Sequence, residues 1–375
     1  MTIPMLDLSR IHAPLEAELT AAFSRVLQAN SYILGAEVSR FEAACAEYLG
    51  VGHAIGVSSG SDALLLALMV LGIGPGDEVI CPSYTFFATA GAVARLGATP
   101  VFVDSNPDTH NWELAQVIGA VTERTRAVIP VHLFGLCAEM AGLMQWAEAH
   151  DIVVIEDVAQ SMGATWHGQM AGSIGHFGCH SFFPSKNLGG FGDGGLLTCK
   201  DEAVAETARV LRAHGAKPKY HHHYVGGNFR LDALQAALLG VKLPHLESWI
   251  AQRRQVAGEY GTRFRRAGLT DLVHLPSEPD QRRHTWNQFV IRLQDQPTRD
   301  RLQSALQAAG IATAIYYPKP LHLQPCFQGK GARPEGSLPI SEQDALTTLA
   351  LPIFPGMRPD EQQQVVDSIA AALHV

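Results

Sequence analysis

Short apolar segments alternate with helical stretches over residues 51–199, and this alternation allows very few architectures. The segments are rich in Val, Ile and Phe, which is typical of strands buried on both faces. Strands are predicted at 53–57, 78–81, 100–103, 127–131, 152–156 and 196–199. Helices are predicted between them at 62–71, 88–96 and 138–149. This rhythm indicates an α/β fold with an open, mostly parallel sheet that is flanked by helices.

The pattern changes after Lys200, where helices are predicted at 202–213, 231–239 and 247–267. The long helix at 247–267 is predicted to link two domains. A smaller α+β unit follows, with strands at 287–293 and 311–316 and helices at 298–309 and 359–373. We therefore expect a large domain over residues 1–245 and a small C-terminal domain over residues 246–375.

Charge and composition exclude several classes of protein. The 375 residues carry 28 Lys and Arg against 36 Asp and Glu, a formal net charge of −8, so no basic surface is expected for binding nucleic acid. The first 22 residues lack an unbroken apolar core, and the longest apolar stretch, 63–73, is too short to cross a membrane. The six cysteines form no CxxC pair, so no zinc or redox motif is indicated. A cytoplasmic protein is the expectation.

The apolar segment Ile152-Val153-Val154-Ile155 is followed by two carboxylates, Glu156 and Asp157. Ligands of open α/β sheets bind at the carboxyl ends of strands, so Asp157 is predicted to lie at a binding crevice. A buried carboxylate needs a cationic partner, which the protonated ring nitrogen of a cofactor can supply. The alternative is that Asp157 only caps the helix that follows.

A single lysine, Lys186, lies in a loop dense in aromatic residues and glycine, Phe182-Phe183-Pro184-Ser185-Lys186-Asn187-Leu188-Gly189-Gly190. Burial lowers the pKa of a lysine and makes its amine a nucleophile toward aldehydes, so Lys186 is a candidate for forming a Schiff base. The glycines do not match the dinucleotide fingerprint, because no GxGxxG lies between a strand and a helix here. The alternative is an ordinary surface lysine.

Two further segments follow predicted strands. In Ser58-Ser59-Gly60-Ser61-Asp62, a strand gives way to a helix through small hydroxylated residues, which predicts an anion site at a helix N-terminus or a simple N-cap. In Pro82-Ser83-Tyr84-Thr85-Phe86-Phe87, one aromatic ring is available to stack on a cofactor, unless all of the rings belong to the core.

Together, the phosphate site, ring partner, stacking ring and amine are the groups that bind pyridoxal phosphate (PLP).

At these residues the chain resembles the nucleotide-sugar aminotransferases of the DegT/DnrJ/StrS type, members of the aspartate-aminotransferase fold family, known as PLP transferase fold type I. The resemblance covers nearly the whole chain. It rests on Ser59-Gly60-Ser61-Asp62-Ala63-Leu64, Pro82-Ser83-Tyr84-Thr85-Phe86, Glu156-Asp157-Val158-Ala159-Gln160, Ser181-Phe182-Phe183-Pro184-Ser185-Lys186-Asn187 and Gly227-Asn228-Phe229-Arg230.

The resemblance implies a role for each matching residue. Lys186 and Asp157 are the implied catalytic residues. The implied cofactor-binding residues are Gly60, Ser61, Asp62, Phe86, Asp157, Gln160, Ser181, Lys186 and Asn228. The implied substrate-binding residues are Tyr316, Tyr317, His322 and Arg230.

The resemblance also implies an aminotransferase that moves the amino group of an amino acid, usually L-glutamate, to a keto-sugar nucleotide. Asn228 matches a residue that reaches the phosphate from the neighbouring subunit, which implies a homodimer with shared sites. Tyr316 stands where many members carry histidine, and this slightly favours a 3-amino sugar as product. No metal is implied.

Three alternatives compete with this interpretation. A sugar dehydratase of the same fold has histidine in place of the lysine, and Lys186 argues against it. The second alternative is a regulatory protein that has the same fold and binds the cofactor but does not catalyse a reaction, since fold does not determine function. An NAD-dependent sugar enzyme is the third, and the missing dinucleotide fingerprint counts against it.

Overall fold

The computed structural model describes residues 2–373 and is built on a seven-stranded sheet. The strands of the chain are β1 (His53–Val57), β2 (Glu78–Pro82), β3 (Thr99–Val103), β4 (Thr125–Val128), β5 (Val153–Asp157), β6 (Thr165–Trp166), β7 (Gln169–Met170), β8 (Phe177–Ser181), β9 (Gly195–Cys199), β10 (Arg282–Arg283), β11 (Phe289–Arg292) and β12 (Thr348–Leu351). The central sheet has the order β1-β9-β8-β5-β4-β2-β3. All of its strands run in the same direction except β9, which is antiparallel to both neighbours.

Helices cover the sheet and form much of the rest of the chain. They are α1 (Ser9–His12), α2 (Glu16–Ala29), α3 (Ala36–Leu49), α4 (Gly60–Val70), α5 (Ala88–Arg95), α6 (Leu114–Gly119), α7 (Ala141–Ala149), α8 (Glu202–Arg212), α9 (Ala233–Lys242), α10 (Leu246–Arg266), α11 (Gln296–Ala308), α12 (Pro339–Thr347) and α13 (Pro359–Leu373). The prediction of an α/β fold with a largely parallel sheet is confirmed. No helix within residues 2–373 is long and apolar enough to cross a membrane.

Helix α4 is apolar on all sides because it packs between the sheet and other helices. It contacts β8, β9, α5 and α8, and its four leucines are at most 4 % exposed. A helix with no polar face is stable in water only when it is surrounded in this way. Its position in the core aims its N-terminus at the edge where the parallel strands end.

The hydrophobic cores divide along the chain. One core draws on residues from Val256 to Ile369, with Ile3 as its only member from the N-terminal half of the described chain. The helix α10 belongs to two cores, since Trp249 and Ile250 pack with the N-terminal helices while Tyr260 and Phe264 pack in the C-terminal core. This agrees with a helix that links two units, and the boundary at 245 and 246 stays a prediction.

Three sequence predictions need correction. The predicted strand at 127–131 is ladder-paired only over Thr125–Val128, since Pro130 has no N–H to donate. The predicted strand at 311–316 is wrong, because this segment forms only isolated bridges at Ile311 and Ala314. The strand β8 was not predicted, because its sequence Phe177-Gly178-Cys179-His180-Ser181 contains glycine and polar residues and no β-branched residue.

Candidate active site

A cavity of about 470 Å³ opens where β5 and β8 end and α4 begins. Its volume lies within the range of about 300–1,000 Å³ that is usual for small-molecule sites. The predicted site residues on its walls are Gly60, Ser61, Phe86, Asp157, Gln160, Ser181, Lys186, Tyr316 and Tyr317. The fold therefore brings together groups from distant parts of the sequence at the edge where parallel strands end.

Lys186 lies in the loop that connects the adjacent antiparallel strands β8 and β9. Its backbone N–H donates to the carbonyl of Phe183 at 2.8 Å, which forms a tight turn at the cavity wall. Burial lowers the pKa of the Lys186 amine, and the nearby Asp157 carboxylate opposes part of that shift. An amine whose pKa is lowered at a cavity wall is equipped to attack a carbonyl carbon and to transfer a proton.

Asp157 is the last residue of β5 and is 5 % exposed. Burial raises the pKa of its carboxyl group above the ordinary value. Two hydrogen bonds oppose this effect: Thr89 Oγ1 donates to Oδ2 at 2.8 Å, and the N–H of Ala159 donates to Oδ1 at 3.1 Å. The carboxylate is thus held in one orientation at the cavity wall.

Glu156, the preceding residue, is fully buried and points to the other face of the sheet. Oε2 accepts hydrogen bonds from His132 Nε2 at 2.8 Å and from the N–H of Gly172 at 2.9 Å. Oε1 accepts from the N–H groups of Ile174 at 2.9 Å and Gly175 at 2.7 Å. Burial alone opposes ionisation, but these donors hold the pKa of Glu156 below its ordinary value. Strand β5 therefore carries one carboxylate for structure and one for the cavity.

We expect Glu156→Gln to lower the free energy of unfolding by about 1–3 kcal/mol, because its amide NH₂ replaces an oxygen that accepts two hydrogen bonds. Since the pKa of Glu156 is lowered in the fold, its contribution is complete above the unfolded pKa and disappears as pH falls through the folded pKa. Urea unfolding at pH 7 and at decreasing pH measures both effects.

A matched control is Glu202→Gln, whose side chain is 70 % exposed and forms surface ion pairs. It should change stability by less than about 0.5 kcal/mol. Equal losses in the two variants would contradict a structural role for the Glu156 hydrogen bonds.

The N-terminus of α4 forms one end of the cavity. The N-cap is Ser59, whose hydroxyl oxygen accepts from the N–H of Asp62 at 3.1 Å. The N–H groups of Gly60 and Ser61 belong to the first helical turn, where the helix offers no acceptor. With the positive end of the helix dipole, they form a site for an anion.

Gly60 is required at this position because β8 passes close to it. A Cβ atom on Gly60 would lie 2.7 Å from Cβ and 3.2 Å from Cα of Ser181. We expect Gly60→Ala to separate the helix N-terminus from Ser181 and to weaken PLP binding about tenfold or more, as judged by titration of the unliganded protein.

The control for this prediction is Gly258→Ala in α10, where no atom lies within 4 Å of the added Cβ. This variant should keep the PLP affinity of the wild type. An unchanged affinity in Gly60→Ala would show that the close contact with Ser181 does not shape the anion site.

Phe86 and Gln160 both line the cavity, but they differ in exposure and in hydrogen bonding. Gln160 is 5 % exposed, and its amide is fixed at both ends: the N–H of Phe134 donates to Oε1 at 2.6 Å, and Nε2 donates to the Tyr317 hydroxyl at 3.0 Å. The Phe86 ring is 55 % exposed and lies 6.0 Å from the Tyr317 ring. Tyr317 thus joins two residues that were predicted to flank a cofactor ring.

Four predicted residues do not line this cavity. Asp62, Asn228 and Arg230 line a neighbouring cavity of about 440 Å³ that shares Ser59 with the first. His322 is 1 % exposed; its Nδ1 lies 2.6 Å from Ser83 Oγ and its Nε2 lies 3.1 Å from Glu342 Oε1. The structure does not bring His322 to the cavity, since both ring nitrogens bond to buried or half-buried neighbours.

Sequence reasoning missed several polar side chains at or beneath this site, among them the acid Asp193 on the cavity wall. Thr85 and Gln288 line the cavity, and Thr89 contacts Asp157 from behind. The spacing of Thr85 and Thr89, one helical turn apart just after a strand, was an available signal. For Gln288 no local signal exists, because it reaches the cavity from the C-terminal part of the chain.

This set of groups fits PLP part by part. The amine of Lys186 matches its aldehyde, the buried Asp157 carboxylate matches its ring nitrogen, and the free N–H groups at α4 match its phosphate. The close approach of β8 to Gly60 leaves that end narrow enough for backbone groups to reach an anion. Phe86 and Gln160 line the same cavity, where they could flank a flat ring.

Comparisons with known proteins agree with this site. The sequence profile of the DegT/DnrJ/EryC1/StrS aminotransferase family matches residues 14–370. A pleiotropic regulatory protein of Geobacillus stearothermophilus is 49% identical over 99% of this chain and 98% of its own. A UDP-N-acetyl-3-dehydro-α-D-glucosamine 3-aminotransferase of Acidithiobacillus ferrooxidans is 44% identical, also over 99% and 98%. The crystal structure of S. venezuelae DesV in complex with a ketimine intermediate superposes with a TM-score of 0.94 at 44% identity, over 99% of this chain and 98% of that one.

Proposed function

The chain belongs to the DegT/DnrJ/EryC1/StrS aminotransferase family, and from this premise we propose that it is a PLP-dependent nucleotide-sugar aminotransferase. It transfers the amino group of an amino acid, L-glutamate by preference, to a keto group of a nucleotide-linked sugar. The observation that carries the proposal is the single cavity in which Lys186, Asp157 and the N-terminus of α4 meet Tyr316 and Tyr317. The first three groups suit a cofactor, and the two tyrosines suit a sugar beside it.

The names of the relatives support carbon 3 as the position that receives the amino group. The Acidithiobacillus relative is a 3-aminotransferase, and a Streptomyces venezuelae relative at 44% identity is a dTDP-3-amino-3,4,6-trideoxy-α-D-glucose transaminase. A Pseudomonas aeruginosa relative at 40% identity acts on UDP-2-acetamido-2-deoxy-3-oxo-D-glucuronate. These proteins differ in nucleotide and in sugar, so the shared feature is the reacting carbon.

Each residue of the site has a defined task in this reaction. When bound, PLP supplies an aldehyde that carries the amino group and a ring that withdraws electrons from the carbon losing its proton. Lys186 would hold the aldehyde carbon until the amino group of the donor displaces it. Its freed amine, with its lowered pKa, would then accept a proton from the substrate carbon and return it. Asp157 holds a proton at the ring nitrogen, which keeps the ring electron-deficient.

Binding and orientation fall to the other residues. Ser61, Ser181 and the first turn of α4 would hold the phosphate, and Phe86 and Gln160, which line the same cavity, would flank the ring. Tyr316, on the same cavity wall as Gln288, faces the space that remains for the sugar.

A homodimer with shared sites completes the proposal. In the single chain, Asn228 is exposed and lies in the neighbouring cavity, away from Lys186. We expect the partner subunit's Asn228 to complete the phosphate site. Sedimentation at the concentrations used for turnover tests this, and a fully active monomer would contradict it.

The decisive experiment is an absorbance spectrum of the purified protein with PLP, before and after addition of L-glutamate. A visible band that glutamate bleaches shows the first half of the transfer, and a panel of UDP- and dTDP-linked 3-keto sugars then identifies the acceptor. A protein that never binds PLP would overturn the proposal. A band unchanged by every amino acid tested would favour a regulator that binds the cofactor without turnover, which the name of the Geobacillus relative brings into consideration.

A further inference from the structure

Thr89 is a fully buried residue near the start of α5 whose hydroxyl group bonds outside its own helix. It is 0 % exposed, and its Oγ1 donates to Asp157 Oδ2 at 2.8 Å. The bond joins the segment after β2 to the end of β5, which are 68 residues apart in sequence. Thr89 itself is not on the cavity wall, so a bound ligand would not touch it.

Several other hydroxyl side chains within helices make a local bond. Thr207, Thr262, Ser304 and Thr347 each donate to the carbonyl four residues earlier in their own helix. This local bond is the usual choice for a helical threonine or serine. Thr89 instead bonds to a carboxylate on another element, which is a specific contact and not a consequence of helix geometry.

A second threonine fixes the direction of the Thr89 hydroxyl group. Thr85 Oγ1 lies 3.2 Å from Thr89 Oγ1, and Thr85 lines the cavity. A hydroxyl group has one proton to donate, and an ionised carboxylate can only accept. The order of donation is therefore Thr85 to Thr89 to Asp157, a chain that runs from the cavity wall to the back of the carboxylate.

The two oxygens of Asp157 are thus held by donors from different directions. The N–H of Ala159 bonds Oδ1, and Thr89 bonds Oδ2. Rotation of the carboxylate about its Cβ–Cγ bond would break both hydrogen bonds. A hydrogen bond to an ionised group is also stronger than one to a neutral group, so Thr89 favours the ionised form that burial disfavours.

We propose that Thr89, oriented by Thr85, is the positioning residue that fixes the Asp157 carboxylate toward the ring nitrogen of the cofactor. The proposal rests on the function proposed above, because Asp157 needs a fixed direction only if it faces a cationic ring. Thr89 acts through Asp157 and does not touch the reacting atoms.

The test compares Thr89→Val, which keeps the shape and removes the hydroxyl group, with Thr89→Ser, which keeps the hydroxyl group. We expect Thr89→Val to weaken PLP binding to the unliganded protein about tenfold and to lower kcat about tenfold, with little change in KM for the amino donor. The pH titration of the visible band should shift in the same variant. Thr89→Ser should restore the wild-type values, and Thr85→Val should show a smaller loss in the same direction.

A double-mutant cycle separates positioning from packing. In an Asp157→Asn background, Thr89→Val should cause no further loss of PLP affinity. Wild-type affinity and titration in Thr89→Val, or equal losses in the Val and Ser variants, would overturn the role of the hydroxyl group. Failure of the wild-type protein to bind PLP would instead overturn the proposed function, so the two failures are distinguishable.

Discussion

Lys186→Ala should give a protein that is colourless with PLP and whose turnover is at least about 10²–10⁴-fold below that of the wild type. The variant lacks the amine that holds the aldehyde and also lacks the group that accepts and returns the substrate proton. Burial lowers the pKa of this amine. A larger fraction of Lys186 is therefore neutral at a given pH than of a lysine in water. Stopped-flow absorbance with glutamate, together with steady-state turnover, measures both losses.

Lys330→Ala is the matched control, because it removes an exposed lysine from the same chain. It should keep the colour and the turnover of the wild type. If Lys186→Ala folds with normal circular dichroism and retains turnover within tenfold of the wild type, Lys186 does not have the role proposed for it.

Asp157→Asn should keep the visible band but lower kcat by about 10²–10³-fold, with a much smaller change in KM. Asparagine fills the same space, but it has no charge to keep a ring nitrogen protonated. The band depends on Lys186, which this variant retains. Because burial raises the pKa of Asp157, ionised Asp157 opposes folding of the unliganded protein, and Asp157→Asn should lower the free energy of unfolding less than Glu156→Gln does.

The contrast with Glu156→Gln makes this prediction sharper. The two neighbouring carboxylates should respond oppositely, with Glu156→Gln reducing stability and Asp157→Asn reducing turnover. Urea unfolding of the unliganded proteins and kcat of the loaded proteins provide the comparison. A large loss of stability in Asp157→Asn, with turnover preserved, would reverse the assignment of the two residues.

The parts of the site that sequence reasoning located are those that follow strands. Asp157 and the Ser59–Asp62 turn come directly after apolar segments, and parallel strands must end at a common edge. Lys186 was recognisable because its loop combines glycine with aromatic residues. Composition and periodicity therefore gave these residues as candidates and left a cap or a surface lysine as alternatives, and the resemblance to a family supplied their expected roles.

The other half depends on tertiary packing that no local pattern encodes. Gln288 reaches the cavity from the C-terminal part of the chain, and the segment at 311–316 was mistaken for a strand because its apolar residues pack without ladder pairing. His322 lies in a conspicuous motif, yet it bonds to Ser83 and Glu342 in the interior. The packing of the two cores against each other determines which side chains face the cavity between them.

The helix α10 belongs to two hydrophobic cores, and the cavity takes its walls from both parts of the chain. Ligand binding and unfolding are therefore expected to be coupled. A ligand bound there has affinity only for the state in which both parts are folded together. Its binding therefore raises the free energy of unfolding of the two parts as one unit, by RT ln(1 + [L]/Kd), and does not stabilise either part alone. For the cofactor proposed here, we therefore expect that its supply would set the resistance of both parts to proteolysis as well as the turnover.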